Sequence, residues 1–264
     1  MELSQAQVET YHREGYLVVE RAFSPPEVAA LEAGMPEVTD PSRPEVGLDE
    51  SSGTVRLSHG PHLYNEAFRR VTLHPRLVRP AQRLLGTDVY LYQSRLSMKA
   101  GLGATQASGW PWHQDYSTWY VTDAMPQPRA LVAFLFLDEV TASNAPLLVI
   151  PRSHQTGLIG KASDAVGADG EYRQIVIDPA ALRELADRGG VAALMGPAGT
   201  VAFMHCSLVH GSTENISPLR RALLAVVFNA IDNRARSERP AHFAAPDVAA
   251  VQPLADDCLL TLAS

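Results

Sequence analysis

Val89-Tyr90-Leu91-Tyr92-Gln93-Ser94-Arg95-Leu96-Ser97-Met98-Lys99 is where the chain changes its period. Before it, apolar residues recur at helical spacing; from here on they come in strand-like runs. Downstream, residues 130–137 and 147–150 are apolar runs short enough to be core strands, and 200–204 and 222–228 are two more. Upstream, Ser4 is placed to cap a helix carrying Val8, Tyr11 and His12 and closed by Gly15. Tyr16-Leu17-Val18-Val19 is a short β-type run. Ser24-Pro25-Pro26-Glu27 is a second capping signal, continued by Val28, Leu31 and Met35. Residues 36–53 are expected as a loop, and 68–85 as helical segments broken near Pro75 and Pro80. Residues 156–172 read as a loop over the site, and Pro179 opens a short helix.

Helices first, then many short strands, predict a mainly β chain with flanking α-helices: a jelly roll, or double-stranded β-helix of cupin-like form. One domain over 1–264 is expected. It has a helical part to about residue 86, a jelly-roll core over about 87–232 and a proline-rich tail. The chain has 264 residues, 46% of them hydrophobic and 19% charged, with a net charge of −7. That balance is globular and argues against nucleic acid and anionic membrane as partners. The N-terminus is polar, no apolar run is long enough to span a bilayer, and Cys206 and Cys258 have no CxxC partner. They read as reduced thiols of a cytoplasmic protein. Both a monomer and a homodimer fit the sequence.

Past the opening strand lies Trp110-Pro111-Trp112-His113-Gln114-Asp115. On a strand, residues i and i+2 share a face, so His113 and Asp115 could reach one ion. A second histidine would complete the 2-His-1-carboxylate set that holds Fe(II) and leaves open positions. Of the nine histidines, His12, His62, His74 and His242 show no partner pattern and read as surface or capping residues. His154, His205 and His210 are the candidates for the third ligand. His210 opens His210-Gly211-Ser212, and Arg221 lies eleven residues further on, where its planar fork would suit a carboxylate.

These blocks carry a resemblance. Tyr11-His12-Arg13-Glu14-Gly15-Tyr16, Gln93-Ser94-Arg95, the stretch from Trp110 to Tyr116 with Trp119, Asp123, Met125-Pro126 and Arg129-Ala130, Pro146 to Pro151 with Ser153-His154, and His210-Gly211-Ser212 with Asn215 to Pro218 and Arg221 recur in order. The chain resembles the phytanoyl-CoA dioxygenase superfamily of Fe(II)/2-oxoglutarate oxygenases. Within it, the chain is most similar to the group of ectoine, proline and leucine hydroxylases. The resemblance implies a small-molecule hydroxylase using Fe(II), 2-oxoglutarate and O₂, with succinate and CO₂ as co-products. It implies His113, Asp115 and His210 as iron ligands, and Arg221 on the far carboxylate of 2-oxoglutarate. Ser212, Gln93 and Trp110 then line the co-substrate pocket. Trp119 matches a substrate-contacting aromatic, and Tyr116, Arg95, Arg56 and His59 are further substrate candidates. Two positions depart from the group: Ser97 stands where asparagine is usual, and Pro246 where a later arginine would hold a substrate carboxylate. Asp115 is retained, which disfavours halogenation. The alternatives carried forward are a tailoring oxygenase of a larger intermediate, by hydroxylation, desaturation or cyclisation, and a jelly-roll binding protein without catalysis.

Overall fold

The computed structural model describes residues 1–49, 52–101, 109–160, 165–166, 174–245 and 248–262. Ser4 caps α1 (Gln5–Glu14) reciprocally: its hydroxyl accepts from the Gln7 amide, and the Gln7 side chain accepts from the Ser4 amide. Gly15, at φ 84°, ends the helix. The chain then enters β1 (Tyr16–Val19). The Ser24–Glu27 box opens α2 (Pro25–Val38). The loop expected over 36–53 instead contains the end of α2 and the strand β2 (Val46–Leu48), which pairs with β3 (Val55–His59). Edge pairing with β3 makes a strand from a stretch whose polar composition hid it.

Next come α3 (Glu66–Thr72) and α4 (Pro75–Leu85). The break expected at Pro80 is not there. Pro80 is buried inside α4, whose Leu77, Val78, Ala81 and Leu84 all enter the core. Packing of that face outweighs the hydrogen bond that proline removes. The rest of the chain is β4 (Val89–Lys99), β5 (Trp110–His113), α5 (Asp115–Thr122), β6 (Ala130–Phe136), β7 (Leu147–Val149), β8 (Ala165–Val166), β9 (Gln174–Ile175), α6 (Pro179–Gly189), β10 (Ala192–Leu194), β11 (Val201–His205), β12 (His210–Ser212) and β13 (Arg221–Ala230).

The strands form two antiparallel sheets, β1-β11-β6-β13-β4-β3-β2 and β10-β7-β12-β5, with β8 and β9 as a separate ladder. This is the helix-flanked jelly roll that the sequence predicts. Alternation along β6 shows why its run is apolar throughout. Leu131, Ala133 and Leu135 pack with the helices, while Ala130, Val132, Phe134 and Phe136 belong to the core between the sheets. A bulge in the β13–β4 ladder skips Tyr92, since Val227 pairs with Gln93 and Phe228 with Leu91. The extra residue lets Tyr92 join the inter-sheet core while Arg95 and Ser97, at an odd offset from it, also face inward.

Most of the loop expected over the site, the glycine-containing link before β5, and Pro246 and Asp247 lie outside the described residues. Among the described residues, no helix is long and apolar enough to cross a membrane.

Candidate active site

His113 ends β5, His210 opens β12, and the two are direct partners in the antiparallel ladder. Asp115 is not on the strand, contrary to expectation. The strand stops at His113, Gln114 turns the chain, and Asp115 begins α5. The turn achieves what strand alternation was expected to do. Asp115 Oδ1 is 3.8 Å from His113 Nε2, and its Oδ2 is 3.8 Å from His210 Nε2. All three residues are buried, and their candidate ligand atoms lie within 4.8 Å of one another. Gln114 secures the turn. Its side chain donates to the Ser207 and Gly157 carbonyls and accepts from the Ile159 amide.

The outer ring nitrogens settle the tautomers. His113 Nδ1 is 2.7 Å from the Pro111 carbonyl oxygen, and His210 Nδ1 is 2.9 Å from that of Leu208. A carbonyl can only accept, so each Nδ1 carries the proton and each Nε2 presents a lone pair to Asp115. Burial, then the facing His210, pushes His113 down to about 3; burial also lowers His210. For Asp115, burial would raise the pKa. The Arg95 guanidinium, 3.4 Å from Oδ1, leads the opposing effects, and the group stays ionised. Asp115 Oδ2 has no hydrogen-bond partner among the described residues. Two neutral imidazoles and one carboxylate with a spare oxygen suit a divalent first-row metal.

Arg221 opens β13 and is fully buried, and none of its three guanidinium nitrogens has a hydrogen-bond partner among the described residues. Burial pushes its pKa down to about 10, so it remains a cation at neutral pH. A buried cation without a hydrogen-bond partner is costly, and the site is complementary to an anion. Its ladder partner Lys99 is buried too, with Nζ donating to the Thr213 carbonyl. Burial, then Arg221 and Arg56, pushes Lys99 down to about 7. Ser212 Oγ, two residues past His210, is also buried and has no hydrogen-bond partner among the described residues.

One cavity takes in His113, Asp115, His210 and Arg221, together with Arg95, Ser97, Trp110 and Gln174; Leu57, Phe134, Leu147 and Leu223 supply its apolar wall. Arg56, His59 and Gln93 are not among the residues that line the cavity. Arg56 lies 4.1 Å over the Trp110 ring and donates to the Gly109 carbonyl. His59 pairs with Arg95 in the β3–β4 ladder and packs on Phe243. The Gln93 amide donates to the Phe243 carbonyl.

Trp119 and Tyr116, expected against substrate, are in the inter-sheet core. Trp119 is fully buried, edge-on to Tyr92, and the Tyr116 hydroxyl donates to the Pro126 carbonyl. The reason is local geometry. On a helix, residues 116 and 119 share a face, and that face of α5 packs inward. His154 and His205, the other third-ligand candidates, pack on each other, with His205 also beside Tyr11. Sequence reasoning missed Gln114, Lys99 and Gln174. Gln114 could have been found from its place between two candidate ligands; nothing local marks the other two.

The profile of the phytanoyl-CoA dioxygenase family (PhyH) matches residues 11–223. The chain is 36% identical to an ectoine dioxygenase of Bordetella bronchiseptica, over 96% of this chain and 86% of that protein. It is 37% identical to an L-proline trans-4-hydroxylase of Streptomyces griseoviridis, over 94% of this chain and 95% of that protein. The crystal structure of EctD from S. alaskensis with 2-oxoglutarate and 5-hydroxyectoine matches with a TM-score of 0.82 at 33% identity. That match covers 96% of this chain and 87% of the other.

Proposed function

The chain belongs to the phytanoyl-CoA dioxygenase family, as an Fe(II)/2-oxoglutarate-dependent dioxygenase, and from that premise we propose that it hydroxylates an unactivated C–H bond of a small amino-acid-like molecule. The class meant is a free amino acid, an imino acid or an ectoine-like ring. One observation carries the reading: a buried His–Asp–His set shares a cavity with a buried guanidinium that has no partner of its own.

When bound, Fe(II) with 2-oxoglutarate activates O₂ for hydrogen abstraction, with release of succinate and CO₂. His113, Asp115 and His210 would hold the metal, a donor set suited to Fe(II). Arg221 grips the far carboxylate of 2-oxoglutarate, and Lys99 adds positive charge beside it. Ser212 offers a hydroxyl to the same ligand, and Trp110 walls it. Arg95 keeps Asp115 ionised and faces the substrate. Leu57, Phe134, Leu147 and Leu223 exclude water from the reacting carbon. Arg56 stacks on Trp110, and His59 pairs with Arg95 in the neighbouring ladder. The substrate is met in the cytoplasm, consistent with two buried free cysteines.

A coupled succinate assay across free amino acids, cyclic imino acids and ectoine tests the reading. Fe(II)-dependent succinate release with at least one of them is expected. Release with none of them would overturn the substrate class.

A further inference from the structure

Gln174 is 5% exposed, and its Nε2 has no hydrogen-bond partner among the described residues. It nonetheless forms part of the cavity wall with His113, Asp115 and His210. A buried amide donor is costly unless something else supplies the acceptor.

The backbone explains how Gln174 gets there. Val176 forms an antiparallel bridge with His113, and the Ile177 amide donates to the Trp112 carbonyl at 3.0 Å. Residues 174–177 thus continue the four-stranded sheet past its edge strand β5. Buried Ile175 and Ile177 alternate with Gln174 and anchor the segment. By that antiparallel register residue 174 stands level with Asp115, and β9 packs against α5.

The facing sheet has the same two levels. Arg95, 3.4 Å from Asp115, pairs with Ala225, and both line the cavity. Lys99 pairs with Arg221 four residues further along the same strands, about 13 Å at roughly 3.3 Å per residue. The cavity therefore has one end at Arg221 and another at Arg95 and Gln174.

We propose that Gln174 is a specificity-determining residue whose side-chain amide donates a hydrogen bond to an acceptor oxygen of the substrate at the Arg95 end of the cavity. The substrate is a molecule carrying a carboxylate, read jointly by the Arg95 cation and the Gln174 amide. The inference rests on the small-substrate reading above and adds the residue that selects within it.

The test compares wild type with Gln174→Leu, which keeps the volume and removes the donor. Calorimetry on the Fe(II)- and 2-oxoglutarate-loaded protein without oxygen measures L-proline and ectoine binding, and a separate titration measures 2-oxoglutarate. The variant is expected to bind the preferred substrate roughly tenfold more weakly, to keep its 2-oxoglutarate affinity, and to form succinate in excess of hydroxylated product. Unchanged substrate binding, or equal losses for substrate and 2-oxoglutarate, overturns the role of Gln174 alone. A wild type that binds neither L-proline nor ectoine overturns the substrate class and this inference with it. If the leucine variant does not fold, Gln174→Asn, which draws the amide back by one methylene, is read by the same criteria.

Discussion

His113 and His210 face each other as ladder partners with ring centroids 4.1 Å apart, each ring held by its own Nδ1–H on a backbone carbonyl two residues before it. Because the carbonyls orient the rings from outside, the pair is set before any ion arrives. Replacing either histidine, or Asp115, by alanine is expected to remove Fe(II) binding and cut turnover by more than the 10–100-fold typical of outer-shell partners. Equilibrium dialysis with Fe(II) without oxygen, beside succinate release, measures both. Full metal retention in Asp115→Ala would exclude it as a ligand.

Arg221 is fully buried, and its guanidinium has no hydrogen-bond partner among the described residues. Arg221→Met is expected to raise the 2-oxoglutarate requirement by roughly 10- to 100-fold, the loss of a charge-assisted pair of about 1.5–3 kcal/mol. The apparent need for prime substrate changes far less. The metal-free variant should also unfold at a higher temperature than wild type, because a buried cation without a hydrogen-bond partner has gone. A lower melting temperature would show that Arg221 has a structural partner.

Acid destabilises the metal-free fold through its buried imidazoles. Burial, then His154, pushes His205 down to about 3, against an ordinary value of 6.5. Its folded pKa is depressed, so only the unfolded chain takes up the proton as pH falls below about 6.5. Stability is unaffected above that range and declines between it and about pH 3. At pH 5 this one group accounts for about 2 kcal/mol, at roughly 1.4 kcal/mol per pH unit. Urea unfolding from pH 7 to 4 should show a shallower decline in His205→Asn. Parallel curves would mean that His205 ionises freely in the folded state.

The segment after β13 is tied down by one buried anion. Asp123 is fully buried and accepts from Arg239 Nε and Nη2, from the Ser237 hydroxyl at 2.6 Å and from the Tyr92 hydroxyl. Arg239→Ala leaves that carboxylate without its cation and is expected to cost about 3–5 kcal/mol in chemical denaturation. The double variant Arg239→Ala with Asp123→Ala should cost less than the sum of the two single changes. Strict additivity would count against the pairing.

Local chemistry in the sequence determined the elements. The Ser4 and Ser24 caps, the Gly15 stop and the apolar runs that became β6, β11 and β13 are each written within a few residues, because caps and alternation act over one turn or one pleat. His113, Asp115 and Arg221 stand out as candidates by residue type and spacing, and the family resemblance supplies the roles expected of them. The tertiary structure decided what depends on residues far apart in the chain. His210 rather than His205 or His154 meets His113, because β12 pairs with β5, while His205 and His154 pack on each other. Asp115 reaches the pair from a helix start rather than a strand, and the same helix turns Tyr116 and Trp119 into the core. Lys99 comes beside Arg221 only through a ladder, and Gln174 reaches the cavity only through an isolated bridge. Strand pairing is chosen by the fit of whole sheets, so no window of sequence around these residues could have disclosed it.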